Sequence, residues 1–135
     1  MALVARFGLR QADIRGSDCT VAEAIGDLVY LAGPPVSGRD QVRRADPSDV
    51  AKMPAVGVIV NKLSATSCQV QWMGETTSIF SGLATGKSCF VGPDGRVAAL
   101  PSRSPAGKFA QIVGVATAPT RFYVRPDGVM TKIFE

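Results

Sequence analysis

The chain carries no histidine, and that absence removes much of the chemistry a small domain performs near neutral pH. No imidazole is present to act as general base, to activate a nucleophile or to ligate a metal. What remains is three cysteines and scattered carboxylates. Cys19, Cys68 and Cys89 lie too far apart in sequence for a paired zinc-ligand motif, and an odd number of cysteines does not make a disulfide framework. Cys68 and Cys89 sit in apolar, strand-like runs, where a thiol behaves as a small hydrophobe. This usage fits synthesis in a reducing compartment, with one disulfide at most. Asp27, Glu75 and Asp94 fall at turn signals and lack the spacing of an acid–base pair. Asp40, Asp46 and Asp49 are a poor match to the ordered oxygen ligands a hard cation requires. Gly92-Pro93-Asp94-Gly95 lacks the long glycine-rich stretch, the Lys-Ser/Thr pair and the following helix of a phosphate loop. No serine nucleophile elbow is present. The residues therefore assign no catalytic group, no cofactor and no metal, and the expectation is a protein that binds without turning over a substrate.

The elements that would carry a binding surface read as β-strands. Near the start the chain gives Gly26-Asp27-Leu28-Val29-Tyr30, then Pro54 to Val60, then Cys68-Gln69-Val70-Gln71-Trp72. Further on it gives Gly86-Lys87-Ser88-Cys89-Phe90-Val91, then Ile112 to Ala116, then Arg121-Phe122-Tyr123-Val124. Each series is a turn glycine, a strand, a polar excursion, a strand with a central glycine, a short turn and an alternating strand. The pattern predicts an all-β fold, a small antiparallel barrel or sandwich of nine to eleven short strands built from two similar units (about 24–75 and 84–126), with little helix. Residues 1–23 are expected as an N-terminal arm or edge segment preceding a β domain over 24–135.

Within this frame the local chemistry makes specific expectations. Pro34-Pro35 is expected to end the strand begun at Leu28. Val56, Val58 and Val60 alternate with Gly57, Ile59 and Asn61, so this strand should be covered on both faces. Gly57 and Gly114 occupy equivalent places, where a missing side chain permits a bulge or a close backbone approach. Trp72 is the expected core anchor of its strand, its indole nitrogen needing a partner if buried. Asp94-Gly95 favours a tight hairpin. Phe109, Gln111, Val113 and Val115 are expected on one side of their strand. Phe122 and Val124 should face inward, leaving Arg121, Tyr123 and Arg125 as an outward stripe. Two readings fit 17–25: a short helix capped by Thr20 with Glu23 at its third position, or a direct lead into the next strand. Val129 to Phe134 offers a last strand.

Composition bounds the class. The chain has 135 residues, a formal charge of +4 and only 19% charged residues, which fits one domain or two small lobes sharing a core. Arg39, Arg43 and Arg44 are the only tight basic group and are interspersed with Asp40, Asp46 and Asp49. A nucleic-acid surface usually shows a broader positive stripe with interleaved aromatics, so no direct nucleic-acid partner is expected. The start of the chain does not read as a signal peptide, and no apolar run approaches the ~20 residues of a membrane span.

The stretches GDLVYLAG, MPAVGVIVNK with SCQVQWMGE, SGLATGKSCFVGPDGRVAALP and AQIVGVATAPTRFYV, which span about residues 24–125, resemble the small head decoration (cement) proteins of tailed bacteriophages and related virion β-modules. The resemblance lies in pattern and phrasing, not in a catalytic signature. It implies a β-rich module on the outer surface of the capsid, made in the host cytoplasm, bound to the major capsid protein and commonly trimeric. It implies no chemistry. The alternative is another virion β-module, in a head fibre, spike or tail. The partner contacts expected on this reading are Phe7, Arg10, Arg121, Tyr123 and Arg125; the residues expected to hold the fold are Gly57, Trp72, Gly95 and Gly114.

Overall fold

The computed structural model describes residues 12–99 and 109–128 and the backbone of 131–132. These residues form eleven strands: β1 (Asp13–Asp18), β2 (Leu28–Val36), β3 (Arg39–Arg44), β4 (Gly57–Ser64), β5 (Ser67–Glu75), β6 (Ser88–Val91), β7 (Val97–Ala98), β8 (Phe109–Ala110), β9 (Ile112–Ala118), β10 (Arg121–Val124) and β11 (Thr131–Lys132). One 3-10 turn, Val50–Lys52, is capped by Asp49, whose side chain accepts from the Ala51 N–H. The all-β expectation therefore holds. The main sheet runs β1-β3-β2-β4-β5-β10-β9-β6-β7, and β1 also pairs with β5. That extra pairing closes β1, β3, β2, β4 and β5 into a five-stranded barrel. β8 and β11 form a separate small pair.

Two cores result, and the strand shared between them explains the apolar run at Val56–Val60. On β4, Ile59 points into the barrel, with Val29, Val42, Cys19, Cys68 and Val70. Its neighbour Val58 points the other way, into a second core with Leu28, Val91, Val113, Ala116, Phe122 and Val124. β2 does the same, sending Leu28 to one core and Val29 to the other. A period of two on a strand covered on both faces leaves no polar side. Each such fully buried side chain stabilises the fold by about 1.5–3 kcal/mol. Gly57 starts β4 where a Cβ would stand 2.6 Å from the Gln71 carbonyl oxygen, so the close approach of β4 and β5 requires the missing side chain.

Several local expectations are corrected. Pro34 and Pro35 do not end β2, which continues to Val36. They lie between the Gly33↔Gln41 and Val36↔Arg39 registers, where the ladder to β3 is irregular, and β2 meets β4 only through Leu28 and Val29. A missing N–H costs little where no partner strand waits for it. The hairpin then closes on Ser37 (φ 53°) and Gly38 (φ 76°), the pair of positive φ angles that a two-residue turn between twisted strands demands. Thr20 and Glu23 do form a cap: Thr20 N–H and Oγ1 both donate to Glu23 Oε1 at 2.7 Å. The chain turns there without continuing as a helix. Residues 13–18 of the expected arm or edge segment form β1, paired with both β5 and β3.

Trp72, expected as a core anchor, is half-buried, and the largest fully buried side chain among the described residues is Phe122. Phe122 meets Phe80 edge-on, with ring centroids 5.2 Å apart. Trp72 instead covers the barrel interior from its margin, with the Arg15 guanidinium 4.3 Å above its ring. Its Nε1 is buried without a hydrogen-bond partner among the described residues. Gly95 (φ 72°) closes the β6–β7 hairpin, and a Cβ there would meet the Arg44 side chain and the Ala45 carbonyl. Phe7 and Arg10 lie outside the described residues. Of the predicted strand over 129–134, only the Thr131–Lys132 backbone is described.

A candidate partner-binding face

β9 and β10 pair antiparallel, with Tyr123 opposite Val115 and Val124 opposite Gly114. Phe122 and Val124 are buried in the second core, and Arg121, Tyr123 and Arg125 lie on the other side, as the alternation predicts. The alternation of β9 does not survive intact. Val113 and Ala116 are both buried, so the strand changes parity between them and Val115 stands 44% exposed. Gly114 makes this possible. A Cβ at this position would collide with the Tyr123 carbonyl oxygen and lie 2.8 Å from the Phe122 ring. The irregular register of β6 with β9 falls at the same place. A bulge re-aims the side chains that follow it, and here it turns Val115 from the core to the outer face.

The outer face is extended by the segment after β10. The Arg125 N–H donates to the Val113 carbonyl and the Asp127 N–H to the Ile112 carbonyl, each at 2.8 Å. Buried Gln111 donates to the Asp127 carbonyl and to the Ala55 carbonyl, and accepts from the Ala55 N–H, all at 2.8 Å. This clamp holds residues 125–128 as a raised rim. On one side of the rim lies a groove of about 730 Å³ formed by Ile112, Val115, Thr117 and Tyr123. On the other lies a groove of about 250 Å³ formed by Pro54, Val56, Trp72 and Met73.

The electrostatics of the stripe divide it. Arg121 Nε donates to Glu75 Oε2 at 2.8 Å, and Thr117 Oγ1 donates to the same oxygen at 2.6 Å. Those hydrogen bonds, Thr117 first and then Arg121, hold the Glu75 carboxyl below its ordinary range. Arg121 is thus committed to an ion pair at one end of the larger groove. Arg125, at the other end, is exposed and makes no ion pair among the described residues. The face offers an aromatic ring with a hydroxyl, exposed branched aliphatics and one guanidinium, a set that suits contact with another protein.

The basic group seen in the sequence is spent differently. Arg39 donates to Asp18 at 2.8 Å, to the Ser17 carbonyl at 2.9 Å and to Ser67 Oγ at 3.0 Å, fastening β1 to β3 and β5. The bond from Arg39, and then one from Gln41, hold the Asp18 carboxyl below its ordinary range. Arg44 binds Asp27 at 3.0 Å and the Ala22 carbonyl. Arg96, from the β6–β7 hairpin, lies 2.7 Å from the other oxygen of Asp27. A polar basin of about 530 Å³ beside these groups is lined by Arg43, Arg44 and Lys52 but also by Glu23, Asp46 and Asp94, so its charges balance within the chain.

Among the described residues no group of three or more cysteine or acidic side chains is placed to hold a metal ion, and no helix is long and apolar enough to cross a membrane. The structure gathers Arg121, Tyr123 and Arg125 on one face. Sequence reasoning missed Ile112, Val115, Thr117 and Glu75 as their neighbours. The signal was present at Gly114, whose place in mid-strand marks a bulge and hence a change of facing for Val115. No family model, no curated protein and no solved structure matches this chain.

Proposed function

We propose that the chain is a bacteriophage head decoration protein, which binds the outer surface of the capsid through the β9–β10 face and stabilises the shell by bridging subunits. The observation that carries this reading is the outward turn of Val115 beside Tyr123 at the Gly114 bulge. It leaves aliphatic and aromatic side chains in a solvent-open groove on a strand whose alternate residues are already committed to a core. The protein acts by binding, without turnover. Its partners are the major capsid protein and further copies of itself as a trimer, and its site of action is the outer surface of the virion. A clip that binds only the assembled shell stabilises that state by mass action, and symmetric repetition multiplies modest contacts.

The two-unit architecture belongs to the same proposal. On either side of the β5–β10 pair the neighbours run β4, β2, β3 and β9, β6, β7. Each half is an inner hairpin joined to an outer one, in the same chain order. The first half additionally recruits β1, which closes its barrel.

Imaging of purified particles of the encoding phage tests the reading. It expects density matching this all-β body on the outside of the head lattice. Density on a tail or fibre would replace the capsid role with the other virion role. A chain found only in infected-cell extract and absent from particles would reject both.

A further inference from the structure

Two of the three cysteines meet inside the barrel. Cys19 follows the end of β1 and Cys68 lies on β5, where the registers Ser17↔Cys68 and Asp18↔Ser67 place the two strands side by side. Both side chains belong to the same buried cluster, with Val29, Val42, Ile59 and Val70. The Cys19 N–H donates to the Thr66 carbonyl at 3.0 Å, which carries the β1–β5 ladder on to Cys19 and sets it diagonally across from Cys68 on the same buried face. Cys89 belongs to the other core and has no such neighbour.

We propose that Cys19 and Cys68 form an intramolecular disulfide when the folded chain meets an oxidant of the peroxide class, fixing β1 covalently to β5. Cys19, a residue 5% exposed against 0% for Cys68, is the one nearer to solvent and is attacked first. As thiolate it attacks a peroxide oxygen: the S–O bond forms, the O–O bond breaks, and the departing hydroxide takes a proton to leave as water. The Cys68 sulfur then attacks the resulting sulfenic sulfur. The S–S bond forms, the S–O bond breaks, and the Cys68 proton leaves with the second water. The two thiols are oxidised together by two electrons and the peroxide is reduced to water. Burial first, and the neighbouring thiol second, push the Cys68 thiol up to about 12. Cys68 therefore stays a thiol until Cys19 is oxidised, which, resting on the proposed function, suits a chain folded in a reducing compartment and later exposed outside it.

The bond would close a long loop, since the cysteines are separated by most of the barrel sequence. Loop closure of that length raises the melting temperature by about 5–15 °C. The test treats the purified full chain with hydrogen peroxide, blocks remaining thiols in denaturant and maps peptides without reduction. The expected result is a Cys19–Cys68 linked peptide, Cys89 still alkylated, and a raised melting temperature that reductant reverses. Cys89→Ser should still give the Cys19–Cys68 linked peptide and the rise in melting temperature that reductant reverses. The proposal is overturned if Cys19 and Cys68 remain alkylatable under conditions that cross-link the denatured chain, if the link involves Cys89, or if the Cys19–Cys68 link forms without a rise in melting temperature. The wild-type map decides the matter without relying on a variant that must fold.

Discussion

Asp27→Asn should loosen the joint between the barrel and the outer sheet. Asp27 is fully buried, while its partners Arg44 and Arg96 expose 39% and 62% of their side chains. One carboxylate oxygen accepts from the Ala24 N–H at 2.9 Å and from Arg44 at 3.0 Å, and the other lies 2.7 Å from Arg96. Two unit charges 4 Å apart attract by about 4 kcal/mol at an effective dielectric of about 20. Half-exposed guanidiniums retain only part of that, and burying the carboxylate offsets more. The amide keeps one acceptor for Ala24 but turns N–H donors toward a guanidinium. A charge-assisted hydrogen bond contributes about 1.5–3 kcal/mol, so weakening the one from Arg44 and losing the Arg96 ion pair, which is not a hydrogen bond, costs about 2–4 kcal/mol. For a chain of this size that lowers the melting temperature by roughly 10 °C. Thermal denaturation at pH 7, with Arg44→Gln and Arg96→Gln as companions, measures it. Arg96→Gln should cost less than Arg44→Gln, because its guanidinium is the more exposed and has the smaller set of partners. A melting temperature for Asp27→Asn within about 1 °C of wild type, a loss well under 1 kcal/mol, would refute the reasoning.

Other perturbations follow from the same contacts. Gln111→Ala leaves the Ala55 N–H and carbonyl and the Asp127 carbonyl without their partner; chemical denaturation should show a loss of about 3–5 kcal/mol. Gly114→Ala drives a Cβ into the Tyr123 carbonyl and should cost about 2–3 kcal/mol, with solvent exposure of Tyr123 changed in its fluorescence. Stability should also fall at both ends of the pH range. Hydrogen bonds hold Asp18 and Glu75 below their ordinary values of 3.8 and 4.5. Burial pushes the Glu23 carboxyl up, but hydrogen bonds from Thr20 and the Arg44 N–H bring it below 4.5 overall. Their contribution is complete above about pH 5 and is lost as pH falls through the lowered folded values. Cys68, raised from 9.0 to about 12, favours the folded state below pH 9 and loses that preference as pH rises toward 12. Denaturant midpoints measured from pH 3 to pH 11 should trace a plateau with both limbs.

Period-two alternation made much of this fold legible. Val58 and Ile59 showed that their strand is covered on both faces, and Phe122 and Val124 showed which side of β10 is inside. Asp94-Gly95 marked its hairpin. The failures have physical causes. Pro34-Pro35 breaks a ladder only where a second strand needs the N–H, and sequence does not show that β2 has no such neighbour there. Thr20 and Glu23 make the reciprocal bonds of a helix start, but the buried Asp27 and Leu28 pull the chain into β2 before a helix can extend. Trp72 reads as a core residue by parity, yet its size leaves it at the barrel margin. The closure of the barrel by β1 depends on Arg39, Asp18 and Ser67 meeting across long separations, and no local pattern announces it. At the candidate face the Arg121–Tyr123–Arg125 stripe was visible. Its apolar half was hidden by the parity change at Gly114, and its loss of one cation was hidden by the distant pairing of Arg121 with Glu75.

The central claim is that the β9–β10 face docks on an assembled shell, and co-sedimentation of the purified chain with undecorated shells tests it most directly. Tyr123→Ala combined with Arg125→Glu alters two side chains outside the cores and should leave the melting temperature within about 2 °C of wild type. The account predicts that the wild-type chain pellets with shells saturably and that the double variant binds at least ~100-fold more weakly, a loss of about 2.7 kcal/mol. Wild-type chain that stays in the supernatant, or a folded variant that pellets as well as wild type, would contradict it.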